Sequence, residues 1–189
     1  MKTRIILLSL ATVLTGCSSN YAYRNLSCLH CYEHLEQEEI NLAADALFHF
    51  DRYQTKDLLP KGKQTLTTLA NKLKNNYIII KKIELTGHTD RMGNVKYNEK
   101  LGLNRAKTVK SYLSNHGVKY PMFTASAGEN EPVTDGCYHL TAPLETATGV
   151  EKTRVSDKLR ACLQPDRRVV VKITGIKKAP VAGKSCNKK

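Results

Sequence analysis

Several chemical signatures are missing from this sequence, and each absence removes a class of function. HExxH, GxSxG and a Cys–His nucleophile signature do not occur, which removes the common hydrolase patterns. Helix-turn-helix, RNP and zinc-finger patterns do not occur either. Acidic residues are scarce: 17 Asp and Glu stand against 30 Lys and Arg, a formal charge of +13 over 189 residues. Such a balance suits nucleic acid, anionic polymers or lipid headgroups. With no reading motif and with an export signal, nucleic acid is excluded. The N-terminal apolar run, Ile5 to Leu14, is too short to span a bilayer, which takes ~20 residues.

That run follows Lys2 and Arg4 and ends in Leu14-Thr15-Gly16-Cys17. The pattern resembles a bacterial lipobox, so residues 1–16 are expected to be a lipoprotein signal peptide, with Cys17 lipidated after cleavage. An ordinary cleaved signal and an uncleaved anchor are the alternatives. Several acyl chains would hold the chain to a membrane, at ~0.8 kcal/mol per methylene. Ser18 and Ser19 follow without an aspartate, which by resemblance to sorted lipoproteins points to the outer membrane. Loss of Lys2 and Arg4 leaves +11, with 28 basic against 17 acidic residues.

Residues 17–40 read as a lipidated tether, polar and ending in the acidic cluster Glu33, Glu36, Glu38, Glu39. Fully extended it would reach about 80 Å at ~3.4 Å per residue. His34–Ile40 is alternatively a short helix packed on the domain. Cys28, Cys31 and His34 fall within the tether. A metal site is one use of them; in an oxidising compartment a disulfide, local or to Cys186, is the other. No cofactor is expected.

The domain is expected over residues 41–175. Ala46–Phe50 alternates like a strand and stops at Asp51. Pro60 opens a helix whose stripe is Leu66, Leu69, Ala70 and Leu73, closed by Asn75-Asn76. Ile78–Leu85 is a second strand, broken at Gly87-His88-Thr89-Asp90. Leu101, Arg105, Val109 and Leu113 then recur every four residues, and His116-Gly117 signals a C-cap. Phe123–Ala127 and Arg168–Ile173 are the remaining strands. The order β-α-β-α-β-β, with an insert before the last strand, indicates an α/β two-layer sandwich, helices over one mixed sheet. The tail 176–189 has five lysines and no acid and should be a basic disordered segment.

Arg105 stands on the apolar stripe of its helix, where an always-charged guanidinium needs acceptors. Asp90, at the end of the preceding strand, is the nearest carboxylate, so strand end and helix face should share a crevice. Two readings are open: a buried structural ion pair, or a site that holds a charged ligand.

GHTDxxG at Gly87–Gly93, YNxxL at Tyr97–Leu101, RAxxVxxYL at Arg105–Leu113, GExxPV at Gly128–Val133 and CLxPDRRVxV at Cys162–Val171 together resemble the OmpA-like peptidoglycan-binding domain. The resemblance covers roughly residues 41–175. It implies that Asp90 and Arg105 grip the diaminopimelate of the peptidoglycan stem, with Asp51 and Asn98 in the same ligand set. A zwitterionic amino-acid end fits one carboxylate and one guanidinium. It also implies a disulfide between Cys137 and Cys162, with loop closure contributing about 3–4 kcal/mol. Gly102 departs from the family's serine, which should loosen the helix by about 1 kcal/mol.

The expectation is therefore a non-catalytic binder that ties the outer membrane, or an envelope complex, to the cell wall. Its partners would be peptidoglycan, the membrane through its lipid, and proteins of a Tol-type machinery. An accessory wall-anchoring subunit of a secretion, motility or conjugation apparatus is the alternative, and a peptidoglycan-acting enzyme a further one. His88 is expected to be a hydrogen-bonding residue of the loop.

Overall fold

The computed structural model describes residues 35–178. Cys17, the Cys28–Cys31–His34 cluster and Cys186 lie outside the described residues. Four strands form one mixed sheet in the order β1-β4-β2-β3: β1 Glu36–Ala43, β2 Tyr77–His88, β3 Met122–Gly128 and β4 Arg168–Lys177. β4 runs antiparallel to both of its neighbours, and β2 pairs parallel with β3. The helices α1, Pro60–Asn75, and α2, Val95–Asn115, pack against the sheet.

The two long helices form where periodicity and end signals place them. Pro60 stands at the first turn of α1, and Leu66, Leu69, Ala70 and Leu73 are all buried. α2 buries Leu101, Val109 and Leu113 together with Arg105; Gly117 follows it at φ +84°, a left-handed value that suits glycine. Their apolar faces meet Ile83, Leu85, Val169, Val171 and Ile173 of the sheet in one core. Burying side chains of this size contributes about 1.5–3 kcal/mol each.

The first strand is not where alternation put it. Ala44–Leu47 is a single helical turn, and Phe48 makes only an isolated bridge with Leu58. Leu47 and Phe48 are both fully buried, whereas a strand would send neighbours to opposite faces. β1 comes from the acidic segment instead, so the sheet begins before Asn41, and Glu36–Ile40 is strand and not helix. Its register from Glu36↔Gly175 to Ala43↔Arg168 occupies the free edge of β4. Glu38 is satisfied by Lys72 and Tyr77, and by Lys177 at 3.1 Å. Burial raises its pKa, but those donors outweigh burial and hold it at about 2. Likewise Ile176 and Lys177, expected to be disordered, end β4, and Lys178 N–H donates to Asn76 O at 2.9 Å.

Gly102 does not loosen its helix; it allows α2 to touch the sheet. A Cβ there would lie 2.5 Å from Ser126 Oγ and 2.8 Å from Gly87 O. A Cβ at Gly87 would lie 1.9 Å from Gly102 O, so the two glycines form a backbone-to-backbone contact. This contact presses the N-terminal half of α2 onto the end of β2.

The insert before β4 folds around its own small core of Cys137, Leu159 and Leu163. It contains a 3-10 turn at Cys137–Leu140, a short helix at Thr141–Thr146, and α3, Gly149–Cys162. Cys137 and Cys162 are joined by a disulfide, as expected. Asp166, buried just before β4, accepts from Val133 N–H at 2.7 Å, Thr134 N–H at 2.9 Å and the Thr134 hydroxyl. These bonds tie the start of the insert to its end. Among the described residues, no helix is long and apolar enough to cross a membrane.

Candidate functional site

The chain leaves β2 at His88 and turns sharply before entering α2. Asp90 caps that turn: its Oδ1 accepts from Met92 N–H at 2.9 Å. Asn94 caps the helix, accepting from Tyr97 N–H at 3.1 Å. A Cβ at Gly93 would lie 2.4 Å from Asn98 Oδ1 and would push the Asn98 side chain aside. The Asn98 amide donates to Asp90 O at 3.0 Å and to the Glu129 carboxylate. It braces the Asp90 turn from beneath.

Asp51, Asp90, Asn98 and Arg105 all line one cleft of about 260 Å³. Asp51 holds a left-handed backbone at φ 58°, which aspartate tolerates better than most residues. Its carboxylate accepts the Tyr97 hydroxyl, and that bond, with burial, pushes the phenol pKa up. Arg105 is only 3% exposed. Its Nε donates to Arg52 O at 3.1 Å, and its guanidinium lies 5.8 Å from the centre of the Phe48 ring. Nη1 is buried with no hydrogen-bond partner. Burial lowers the pKa of this guanidinium, and the nearby Asp45 and Asp51 act against that.

The structural ion pair between Asp90 and Arg105 is not formed. Among the described residues, the cation that meets Asp90 is Arg167, from Nη1 to Oδ2 at 2.7 Å. Arg167 spans a second carboxylate as well: Nη2 reaches Asp45 Oδ2 at 2.7 Å, and Nε reaches both Asp45 oxygens at 3.1 Å. Its Nη1 also donates to Arg160 O at 3.1 Å. Burial acts to lower its pKa, but Asp45 and Asp90 raise it beyond the ordinary arginine value.

Sequence reasoning missed Asp45 and Arg167. Arg167 lies inside the DRRV motif, immediately before β4, and that position was a usable signal. Asp45 offered none, because its segment was read as part of the approach to a strand.

The result is an asymmetric cleft. Asp90 is compensated by Arg167 yet remains 13% exposed, with lone pairs free for another donor. Arg105 has no direct carboxylate partner among the described residues and keeps one buried nitrogen unused. An ammonium beside Asp90 and a carboxylate against Arg105 would complete both groups.

His88 is not in the loop and not in this cleft. It is the last residue of β2, only 2% exposed, and lines a separate hollow with Glu131 and Arg168. Its Nδ1 lies 3.8 Å from Glu131 Oε2, and burial followed by Arg168 lowers its pKa.

The chain's similarities fall on this region. Residues 47–137 match the model of the OmpA family. The chain is 32% identical over 143 residues to an outer membrane protein A of Shimwellia blattae, covering 75% of this chain and 53% of that one. It thus spans about half the length of that relative. The fold matches the cell wall anchor of the T6SS from Pseudomonas aeruginosa at a TM-score of 0.51 and 16% identity, over 81% of this chain and 94% of that one. It also matches the periplasmic domain of Helicobacter pylori MotB at a TM-score of 0.52 and 17% identity, over 75% and 78% of the two chains.

Proposed function

Because residues 47–137 match the model of the OmpA family, we propose that this chain binds peptidoglycan non-covalently through the Asp90–Arg105 cleft. One observation carries the reading: the Arg105 guanidinium is buried, lacks a direct carboxylate partner and keeps Nη1 unbonded at a cleft that also presents Asp90. A protein gains nothing in stability from a buried nitrogen left without an acceptor. A zwitterionic ligand end satisfies it. The diaminopimelate of the peptide stem has such an end, with its ammonium at Asp90 and its carboxylate at Arg105. Asp51 and Asn98 line the same cleft. The work of the site is binding, with no bond made or broken.

The anchor belongs to the same proposal. Lipidation at Cys17 would hold the chain in the outer membrane with its domain in the periplasm, so that the membrane is tied to the wall. The fold similarity to a protein described as a cell wall anchor supports this assignment at the level of architecture. Which envelope complex the chain serves, a Tol-type machinery or a secretion, motility or conjugation apparatus, is decided by crosslinking and capture.

Two measurements test the proposal. Asp90→Ala and Arg105→Ala should each weaken pelleting with purified sacculi by roughly 10–150-fold, the equivalent of one charge-assisted hydrogen bond. Unchanged pelleting in both variants rules the cleft out, and release of soluble wall fragments by the wild-type protein would show an enzyme instead. Cys17→Ser should abolish metabolic acyl labelling; labelling that persists removes the anchor.

A further inference from the structure

Three guanidinium groups line the cleft: Arg105, Arg160 and Arg167. They face two carboxylates there, Asp51 and Asp90. Arg167 is consumed by Asp45 and Asp90, and Arg105 is the buried group already assigned. Arg160 is left over, and it comes from the insert, not from the strand-and-helix frame that builds the rest of the cleft.

Arg160 is placed with care for a half-exposed side chain. Its backbone carbonyl accepts from Arg167 Nη1 at 3.1 Å, so the residue is registered against the group that holds Asp90. Cys162, two positions on, is tied to Cys137. The guanidinium carbon lies 5.3 Å from the centre of the Phe50 ring, which keeps the side chain over the mouth of the cleft. Phe50 is itself a lining residue and is exposed. The nearest carboxylate to Arg160 is Asp157, at 3.9 Å on the outer side of α3, and both side chains are largely exposed. An ion pair that long and that exposed does little to neutralise a cation. Arg160 therefore brings to the mouth of the cleft a positive charge with no strong partner among the described residues.

We propose that Arg160 is a specificity residue that selects a stem whose terminal diaminopimelate keeps its own C-terminal carboxylate ionised, beyond the zwitterionic end held by Asp90 and Arg105. This deepens the binding reading and rests on it. A stem ending in diaminopimelate has such a group. One end of that residue is an amino acid with free ammonium and carboxylate; the other enters the peptide through its nitrogen and keeps its own carboxylate when it is the last residue. Amidation removes that charge while leaving the zwitterionic end intact. Arg160 thus makes the cleft prefer stems with an ionised end over amidated ones.

The test uses the full chain in detergent and two synthetic tripeptides, L-Ala-γ-D-Glu-meso-diaminopimelate with its C-terminal carboxylate free and the same peptide as its C-terminal amide, titrated by calorimetry. The wild-type protein should bind the free acid about three- to tenfold more tightly than the amide, the range of a single half-exposed ion pair. Arg160→Gln should bring the acid down to the affinity of the amide and leave the amide unchanged, and Arg160→Lys should restore part of the preference. An acid-to-amide ratio in Arg160→Gln equal to that of the wild type overturns the assignment, as does a wild-type protein that binds both peptides equally. Those results leave the binding function intact. If neither peptide binds the wild-type chain, the function reading itself falls, and this inference with it.

Discussion

Arg167, near the end of the domain's sequence, joins Asp45 to Asp90, two carboxylates from its first half, with donor distances of 2.7 Å to each. Arg167 is 8% exposed and lies where the insert, the start of β4 and the turn after β2 converge. It fixes the position of Asp90, the carboxylate proposed to meet the ligand's ammonium.

Replacing Arg167 with methionine should therefore damage both stability and binding. Two carboxylates lose their shared donor, and breaking a buried pair by removing one partner costs ~3–5 kcal/mol. Arg167→Lys should recover only part of this, since one ammonium cannot span both acids in the forked geometry. Asp90→Ala should melt much closer to the wild type, because Arg167 keeps Asp45. The check is thermal melting of the three variants side by side. Equal melting of Arg167→Met and the wild type would show the bridge to be structurally idle.

Glu38 makes the stability of the domain depend on acid. Its folded-state pKa of about 2 lies below the ordinary 4.5, so its contribution is complete above pH 4.5 and disappears as the pH falls towards 2. With 18% of the side chain exposed, the contribution is about 3 kcal/mol at most, from ~1.36 kcal/mol per pH unit. Denaturant unfolding at pH 6 and pH 3 should show the wild type more stable than Glu38→Gln at the higher value and the gap much reduced at the lower. A gap independent of pH counts against it.

Gly102→Ser should destabilise the domain although it removes a helix-interior glycine. The helical gain is below about 1 kcal/mol, while forcing a Cβ against Ser126 Oγ and Gly87 O is an overpacking cost of ~1–3 kcal/mol. Ser126→Gly in the same chain should return part of the loss by clearing the nearer contact. Denaturant midpoints of the single and double variants decide it: a more stable Gly102→Ser would mean that α2 moves away from β2 freely.

Cys137→Ser with Cys162→Ser should loosen the insert first. The bridge closes a loop of sequence separation 25, for which chain entropy gives about 3–4 kcal/mol. Limited proteolysis should then cut between residues 137 and 162 while the sheet stays intact. Resistance equal to that of the wild type would assign the stability of the insert to its apolar contacts.

The sequence alone determined the elements whose cause is local. Pro60, Asn75 and a stripe at helical spacing marked α1, the four-residue recurrence from Leu101 to Leu113 marked α2, and the strands expected at Phe123–Ala127 and Arg168–Ile173 are β3 and β4. It also named Asp90 and Arg105, because a charge on an apolar stripe and a carboxylate at a strand end are visible in one dimension; the family resemblance added Asp51 and Asn98, and the fold gathers all four into one cleft. The tertiary structure decided what depends on partners distant in the chain. β1 is a strand only because β4 has a free edge and Lys72, Tyr77 and Lys177 surround Glu38, so its acidic residues concealed it. Asp45 meets Arg167 across 122 positions, and that pairing takes the place of the Asp90–Arg105 pair that proximity in sequence suggested. Short-range periodicity carries no term for contacts of that separation, so only packing could choose which cation Asp90 would hold and which would be left without a carboxylate.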